Sequence, residues 1–268
     1  MGSILWEFFL DFMTRGLWYL AGIILLLGVF FIFVKKVAKP MLASGTPAVR
    51  RKGMLEFTVV SLVFLWLFIQ CLYPLISYFF FYYGLECLND GQIVNAYQEF
   101  REAGSYFPGN KAFQEKLGIV AFISGKHVEA CEILAASDTH NPEANVYYGA
   151  ALLECGKIDQ AIQILNSTLR SVYNPTMAFV YLGRSYSRKN DLPKALMSFQ
   201  SALQTADKYQ NLVKWELVQY YEKTGDLKYA LSLCREILDK PDFDRWTFRE
   251  ALAFYRNNGG TIEIKAGN

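Results

Sequence analysis

The residue types that most often perform catalysis or bind metal ions are few and scattered in this sequence. Its two histidines, His127 and His140, lie at predicted turns or their edges, and neither has a second metal ligand at helical spacing. The sequence contains no P-loop, no G-x-G-x-x-G pattern and no G-x-S-x-G pattern around a nucleophilic serine. We therefore predict no catalytic residue, no cofactor, no metal site and no small-molecule substrate.

The five cysteines predict packing rather than redox chemistry. Cys71 lies in an apolar stretch, and Cys87, Cys131, Cys155 and Cys234 are spread over the rest of the chain. No two of them form a C-x-x-C pair, and an odd number is unusual for an oxidising compartment. We expect all five to be small buried side chains.

The first of two long apolar stretches covers residues 17–34, which are 18 residues without a charge. A helix of this length measures about 27 Å, close to the roughly 30 Å of a bilayer's hydrocarbon core. We predict a transmembrane helix there. Residues 1–16 alternate apolar side chains with a polar stripe of Glu7, Asp11 and Arg15, which predicts an interfacial amphipathic helix.

The second apolar stretch begins at Phe57 and continues to Tyr83, longer than a bilayer needs. Pro74 lies inside it, and a proline can begin a helix but disrupts one already running. We therefore predict a second transmembrane helix at 57–74, with a bend or break at Pro74.

The segment between these stretches is strongly basic, with six basic residues and no acidic residue between positions 35 and 52. The positive-inside rule then predicts that residues 35–56 form a cytoplasmic loop. In a bacterium the protein would be a multi-pass protein of the inner (cytoplasmic) membrane, with its C-terminal portion in the periplasm. The aromatic and basic side chains predicted at the membrane edges are Trp18, Lys35, Lys36, Tyr73, Tyr78 and Tyr82.

From residue 84 onward the sequence repeats, and five alanines mark the repeat at spacings of 34, 31, 34 and 35 residues. The alanines are Ala96, Ala130, Ala161, Ala195 and Ala230. Twelve residues before each stands a small residue, except at the fifth place: Gly84, Gly118, Gly149, Gly183 and Val218. Four residues after each alanine comes a larger side chain: Phe100, Leu134, Leu165, Phe199 and Cys234. Five residues before each alanine stands a turn residue: Gly91, Gly125, Gly156, Asn190 and Gly225.

This pattern resembles the tetratricopeptide repeat (TPR) family, whose units are helix–turn–helix pairs of 34 residues. The resemblance covers about residues 77–241. It implies that the small residue lies where the two helices of a unit cross and that the alanine twelve later is the facing contact. The turn residue would take the left-handed conformation that ends the first helix. We therefore predict an all-α fold: two transmembrane helices, then a TPR solenoid of about five units with a capping helix at 75–258, and a flexible tail at 259–268.

The TPR family lines a concave groove with residues of the first helix of each unit. The resemblance implies a protein-binding groove, and its partner would be an amphipathic helix or an extended peptide. The groove residues are Ile119, Phe122, Val146, Ala150, Leu153, Val180, Arg184, Arg188 and Trp215. A second interpretation is that several of these residues pack within the solenoid and no peptide binds.

The charge of the C-terminal portion argues against nucleic-acid binding. Residues 85–268 carry 20 basic and 22 acidic side chains, a net charge of −2, whereas nucleic-acid binding needs a basic stripe. We predict a non-enzymatic scaffold that is integral to the lipid bilayer and assembles an envelope complex. Three alternatives remain: a subunit of a polysaccharide synthesis or export machine, a cytosol-facing receptor for proteins, and an enzyme whose site carries no recognisable motif.

Overall fold

The computed structural model describes residues 17–39, 43, 47–137, 141–240 and 245–259, and every regular element within these ranges is a helix. The all-helical prediction is therefore confirmed for this part of the chain. The predicted interfacial helix at 1–16, His140 and nearly all of the predicted tail lie outside the described residues. The chain divides into two compact units, Met1–Val120 and Ala121–Asn268.

The first unit begins with two long apolar helices. Helix α1 is Leu17–Phe33, followed by a π-helical turn at Val34–Ala38, and helix α2 is Pro47–Asn89. Both helices are long and apolar enough to cross a membrane, by length and composition. They pack antiparallel, since the rings of Phe33 and Phe57 stack at 6.2 Å and those of Phe30 and Phe64 lie 5.2 Å apart.

Pro74 does not break helix α2, which begins at Pro47, inside the segment predicted as a loop, and continues to Asn89. The predicted break is therefore wrong. A proline removes one hydrogen bond and crowds the carbonyl four residues earlier, but packing on both sides can hold the helix together. The end of α2 has such packing, because the Ser77 hydroxyl donates to the Ala103 carbonyl and the Phe81 ring stacks on Phe113 at 4.4 Å.

The last turns of α2 form the first helix of a repeat, as the sequence predicts. They pack on helix α3, Ile93–Tyr106, and helix α4, Lys111–Ile123, follows. Tyr78 is one of the residues predicted at a membrane edge. Its side chain is 1% exposed and contacts Phe113 edge to face, so it belongs to the core of this unit.

The second unit continues the repeat from the end of α4. Its helices are α5 (His127–Ser137), α6 (Pro142–Glu154), α7 (Ile158–Thr168), α8 (Thr176–Arg188), α9 (Leu192–Thr205), α10 (Gln210–Thr224), α11 (Leu227–Asp239) and α12 (Arg245–Asn257). Helices α6 and α7, α8 and α9, and α10 and α11 pack as pairs, and α12 packs on the last pair. Asn141, Asp191 and Asp226 accept backbone N–H groups at the starts of α6, α9 and α11.

The turn residues of the repeat confirm the prediction. Gly91, Gly125, Gly156, Asn190 and Gly225 all have a positive φ, between 64° and 85°. This left-handed conformation ends each first helix and lets the chain reverse into the second. Asn190 is the only residue other than glycine with a positive φ in the described ranges.

The helix crossings correct one expectation. All five repeat alanines are fully buried. The atoms closest to a Cβ built on Gly84, Gly149 or Gly183 belong instead to the larger residue that follows the alanine by four positions. A Cβ on Gly149 would lie 2.6 Å from Leu165, and one on Gly183 would lie 2.5 Å from the Phe199 ring. The small residue is needed because a large side chain fills the space above it.

Candidate functional site

Most residues of the predicted groove are buried in this structure. Ile119 is buried in the first unit. In the second unit the buried members are Val146, Ala150, Leu153, Val180 and Trp215. Phe122 is half-buried, and its ring meets those of His127, Tyr147 and Tyr181 at 5.0–6.0 Å.

Contacts between neighbouring repeats explain this burial. Val146 and Ala150 pack with Leu165 and Leu182, and Trp215 packs edge to face on Phe254 at 6.2 Å. Apolar side chains on the first helix of one repeat thus pack against the next repeat and are buried there. Of the predicted set, Arg184 and Arg188 keep substantial exposure.

These two arginines open onto a pocket of about 370 Å³ in the second unit. The pocket lies between α8 and α10, and most of its lining is polar or charged. The lining residues are Glu154, Arg184, Ser187, Arg188, Phe199, Glu216, Gln219, Tyr220 and Lys223.

The deepest charges of the pocket are the paired side chains of Arg184 and Glu216. Arg184 donates from Nε to Glu216 Oε2 at 3.0 Å and from a terminal nitrogen to Oε1, a two-pronged ion pair. Glu216 is only 4% exposed. Burial by itself lowers the pKa of Arg184, but the hydrogen bonds and charge of Glu216 outweigh it and leave that pKa raised.

Arg184 also lies over the Tyr181 ring, with its guanidinium carbon 5.4 Å from the ring centroid. Burial of Tyr181 raises the pKa of its phenol to about 12, so the ring is neutral at physiological pH. Arg184 therefore lies between a neutral aromatic ring and the buried carboxylate of Glu216.

At the rim, two cations each hold the end of the preceding repeat's first helix. Arg188 donates to the Leu153 carbonyl at 2.7 Å and to the Glu154 carboxylate at 2.8–2.9 Å. Lys223 donates to the Ser187 carbonyl at 2.6 Å. Carbonyls in the last turn of a helix lack partners within it, so a cation there supplies a hydrogen bond and favourable charge.

The cations of this pocket are shared with oxygen atoms of the protein. Arg184, Arg188 and Lys223 already contact oxygen atoms, so an incoming acidic group would share them with Glu216, Glu154 or a carbonyl. Gln219 is exposed on the pocket wall. In the part of the chain that the structure describes, no three His, Cys, Asp or Glu side chains are grouped to hold a metal ion.

Comparisons with known proteins identify the fold of the repeats. Residues 121–178 match a family model described as Tetratricopeptide repeat. The thermophilic TPR protein TTC0263 of Thermus thermophilus is similar to this chain with a TM-score of 0.57 and 18% identity, over 67% of this chain and 99% of that one. The repeats have the TPR fold.

A second solved structure with a similar fold is the APC/C hetero-tetramer Cut9-Hcn1. It matches with a TM-score of 0.55 and 19% identity, over 87% of this chain and 49% of that one. At these identities the similarity is one of fold. No curated protein matches this sequence.

Sequence reasoning missed three charged residues of the pocket in this TPR fold: Glu154, Glu216 and Lys223. Glu216 stands fourteen residues before the repeat alanine, where the two preceding units have Tyr147 and Tyr181. A carboxylate at a position that is aromatic in the two preceding units signals a buried ion pair, because a buried charge needs a partner.

Glu154 and Lys223 also had a signal. Glu154, Arg188 and Lys223 all stand seven residues before a repeat alanine. Charged residues at one register of consecutive repeats indicate contact between neighbouring units. Glu154 and Arg188 have opposite charges and form an ion pair, whereas Lys223 has the same charge as Arg188 and donates to the Ser187 carbonyl instead.

Proposed function

We propose that this protein is a non-enzymatic scaffold, anchored in a membrane by α1 and α2, whose TPR repeats bind other proteins. The observation that carries the proposal is the exposure of the apolar helices beside a TPR fold. The TPR fold supports a protein-binding role, since such repeats generally bind peptides or other proteins. A solved structure of similar fold is part of a hetero-tetramer, which agrees with a role in assembly.

Membrane anchoring is supported by side chains that water solvates poorly. In α1, Leu25 is 66% exposed and Phe31 is also exposed, and in α2 Trp66 is 60% exposed. Exposed apolar area is unfavourable in water by about 25 cal/mol per Å², and a bilayer removes that term. Between Glu56 and Glu86 helix α2 has no charged residue, which agrees with a span.

The side chains at the ends of these helices agree with membrane edges. Trp18 is 77% exposed, and Tyr73 and Tyr82 are also exposed, as amphipathic rings are at the headgroup level. Lys35 and Lys36 are exposed just after α1.

The basic segment supports an orientation with residues 35–56 in the cytoplasm. The TPR repeats then face the periplasm of a bacterial inner membrane, and the protein contributes to an envelope complex. The partner is an amphipathic helix or an extended segment, and the pocket between α8 and α10 receives its acidic edge beside Arg184, Arg188 and Lys223.

One observation favours a second candidate with the opposite orientation. An odd number of cysteines without a C-x-x-C pair is more typical of a reducing compartment. With the repeats in the cytoplasm, the protein would be a TPR subunit of a polysaccharide synthesis or export machine, or a cytosol-facing receptor.

Topology separates the two candidates. Reporter fusions after Asn268 and within residues 40–49 distinguish the sides of the membrane. An external C-terminus with an internal segment supports the envelope scaffold. An internal C-terminus rejects it and leaves the cytoplasmic candidate, and recovery of both reporters in the soluble fraction rejects both.

The pocket is tested by filling it from its exposed wall, since a change at buried Leu153 would report on folding instead. Gln219→Trp should block the pocket and abolish co-purification of the partner, while the repeats stay folded. Met197→Trp, at an exposed site outside the pocket lining, is the matched control and should retain the partner. Equal co-purification by both variants would reject the pocket as the binding surface.

A further inference from the structure

Two cysteine side chains meet where consecutive helices of the second unit come together. Cys131 lies four residues into α5, and Cys155 follows the last residue of α6. The Cys155 thiol donates to the His127 carbonyl, at a sulfur–oxygen distance of 3.6 Å. Cys155 is therefore anchored to the first turn of α5.

The same carbonyl places Cys131 nearby. In an α-helix the N–H group four residues later points to a given carbonyl, so the Cys131 amide faces the oxygen that Cys155 contacts. Burial is the main cause that raises the pKa of the Cys131 thiol, and the neighbouring Cys155 thiol raises it further.

The two thiols differ in their access to solvent, and Cys234, the third cysteine of the second unit, lies in a different part of it. Cys155 is half-buried and Cys131 is buried. Cys234 is fully buried in the core formed by the last repeats, and burial raises the pKa of its thiol to about 12. Solvent can thus reach the Cys155 thiol, whereas Cys131 is shielded from it.

We propose that Cys131 and Cys155 are a modification site that closes to an intrachain disulfide when the protein meets a small disulfide donor such as oxidised glutathione. The Cys155 thiol loses its proton and attacks the donor disulfide, which releases one donor thiol and leaves a mixed disulfide on Cys155. Cys131 then loses its proton and attacks the Cys155 sulfur, which releases the second donor thiol. The protein gives up two electrons and two protons, and the donor disulfide is reduced to two thiols.

The bond would act on the rim of the charged pocket. Cys155 directly follows Leu153 and Glu154, the two residues whose oxygens Arg188 holds. Closing the bond fixes the end of α6 to the start of α5. The disulfide would therefore be a covalent link between α5 and α6 beside the pocket. Its formation requires only a disulfide donor on the side of the membrane where the repeats lie.

The test uses the full chain in detergent, reduced and then incubated with oxidised glutathione, alkylated under denaturing conditions and mapped by mass spectrometry. We expect one linked peptide pair containing Cys131 and Cys155, which dithiothreitol separates. The oxidised protein should also unfold at a midpoint roughly 5–10 °C higher than the reduced protein.

Variants separate the pair from general oxidation. Cys131→Ser should leave a glutathione adduct on Cys155, because the second attack is missing, and Cys234→Ala is the control that should keep the linked pair. The proposal is overturned if Cys131 and Cys155 are both alkylated after oxidation of the parent chain, or if either is linked to another cysteine instead.

Discussion

Apolar residues of the same types are exposed in the long helices α1 and α2 and buried in the paired helices of the second unit. Leu25 in α1 is 66% exposed, whereas Leu165 in α7 is fully buried. Helix α1 is apolar on all sides, so no arrangement of two helices can bury it. Helix α11 buries only Ala230, Leu233, Cys234 and Ile237, one stripe at helical spacing, and faces water with the rest. The spacing of the apolar residues along a helix, rather than their number, determines whether the protein itself can bury them.

Helix α2 contains both arrangements in one continuous element. Leu62 and Trp66 are exposed in its first half, and Phe81 and Leu85 are buried near its end. Packing on α3 begins beside Pro74, where the rings of Tyr73 and Tyr106 lie 5.9 Å apart, and the helix is not interrupted there. Within the first unit, an apolar helix therefore becomes a repeat helix without a linker.

The largest expected difference is in the free energy of unfolding after removal of a large aromatic side chain, either from the repeats or from the long apolar helices. Phe199→Ala removes a ring that fills the space above Gly183, and we expect the free energy of unfolding to fall by about 3–5 kcal/mol. Trp66→Ala, at a residue that is 60% exposed, should change it by less than about 0.5 kcal/mol in detergent. Denaturant unfolding followed by circular dichroism measures both, and equal losses would contradict the contrast in burial.

A charge in the apolar region should affect membrane insertion more than stability. Leu62→Asp places a carboxylate in the predicted span, and insertion should become less favourable by about 3 kcal/mol, or more than a hundredfold. The measurement is the fraction of chains in which a reporter after Asn268 lies on the opposite side of the membrane from a reporter within residues 40–49, because α1 alone would still hold the protein in the membrane. Met197→Asp changes a similarly exposed side chain in α9 and should leave that fraction unchanged. If Leu62→Asp also leaves it unchanged, α2 does not span the bilayer there.

The crossing glycines should respond differently from an open glycine. Gly183→Ala places a Cβ 2.5 Å from the Phe199 ring, and we expect the free energy of unfolding to fall by about 1–3 kcal/mol despite alanine's better helix propensity. Gly28→Ala is the control, since a Cβ there meets nothing within 4 Å in α1. Thermal or denaturant unfolding of both variants checks this, and a stabilised Gly183→Ala would mean that the crossing has spare room.

The smallest effect is a pH dependence that belongs to the buried region. The pKa of Tyr181 is raised to about 12 in the fold from an ordinary value near 10. The unfolded chain therefore loses this proton first, and the stability that Tyr181 contributes is complete below pH 10 and lost as the pH rises toward 12. We expect the free energy of unfolding to fall by about 1.4 kcal/mol per pH unit in that window from this residue.

Tyr181→Phe removes the titrating group and should flatten the alkaline part of the stability curve. Urea unfolding at several pH values from 8 to 11.5 compares the variant with the parent chain. An unchanged slope would show that another group dominates the alkaline loss.

Local features of the repeat could be predicted because each depends on one residue. A positive φ requires glycine or asparagine, so the five turn residues mark the turns. The repeat alanines are buried because every unit repeats the same contact. The contact partner of the crossing glycines was assigned incorrectly, since helix rotation decides whether an alanine or the next large residue lies closest.

The candidate site was harder to predict because it depends on pairs of residues far apart in the chain. Arg184 and Arg188 were identified from their repeat positions, but their partners Glu216 and Glu154 lie 32 and 34 residues away. The apolar groove residues occupy the family's positions, yet packing between repeats buries most of them.

The sequence by itself determined the period of the repeat, the turn residues, the all-helical class and the two apolar stretches, because these follow from backbone preference and side-chain spacing. Only the tertiary structure decided that α2 continues through Pro74, that Tyr78 and Leu153 are core residues, and that charges from neighbouring repeats meet in one pocket. Each of these depends on which helix packs against which, and at what rotation. The energy of such contacts is spread over residues that no single stretch of sequence contains.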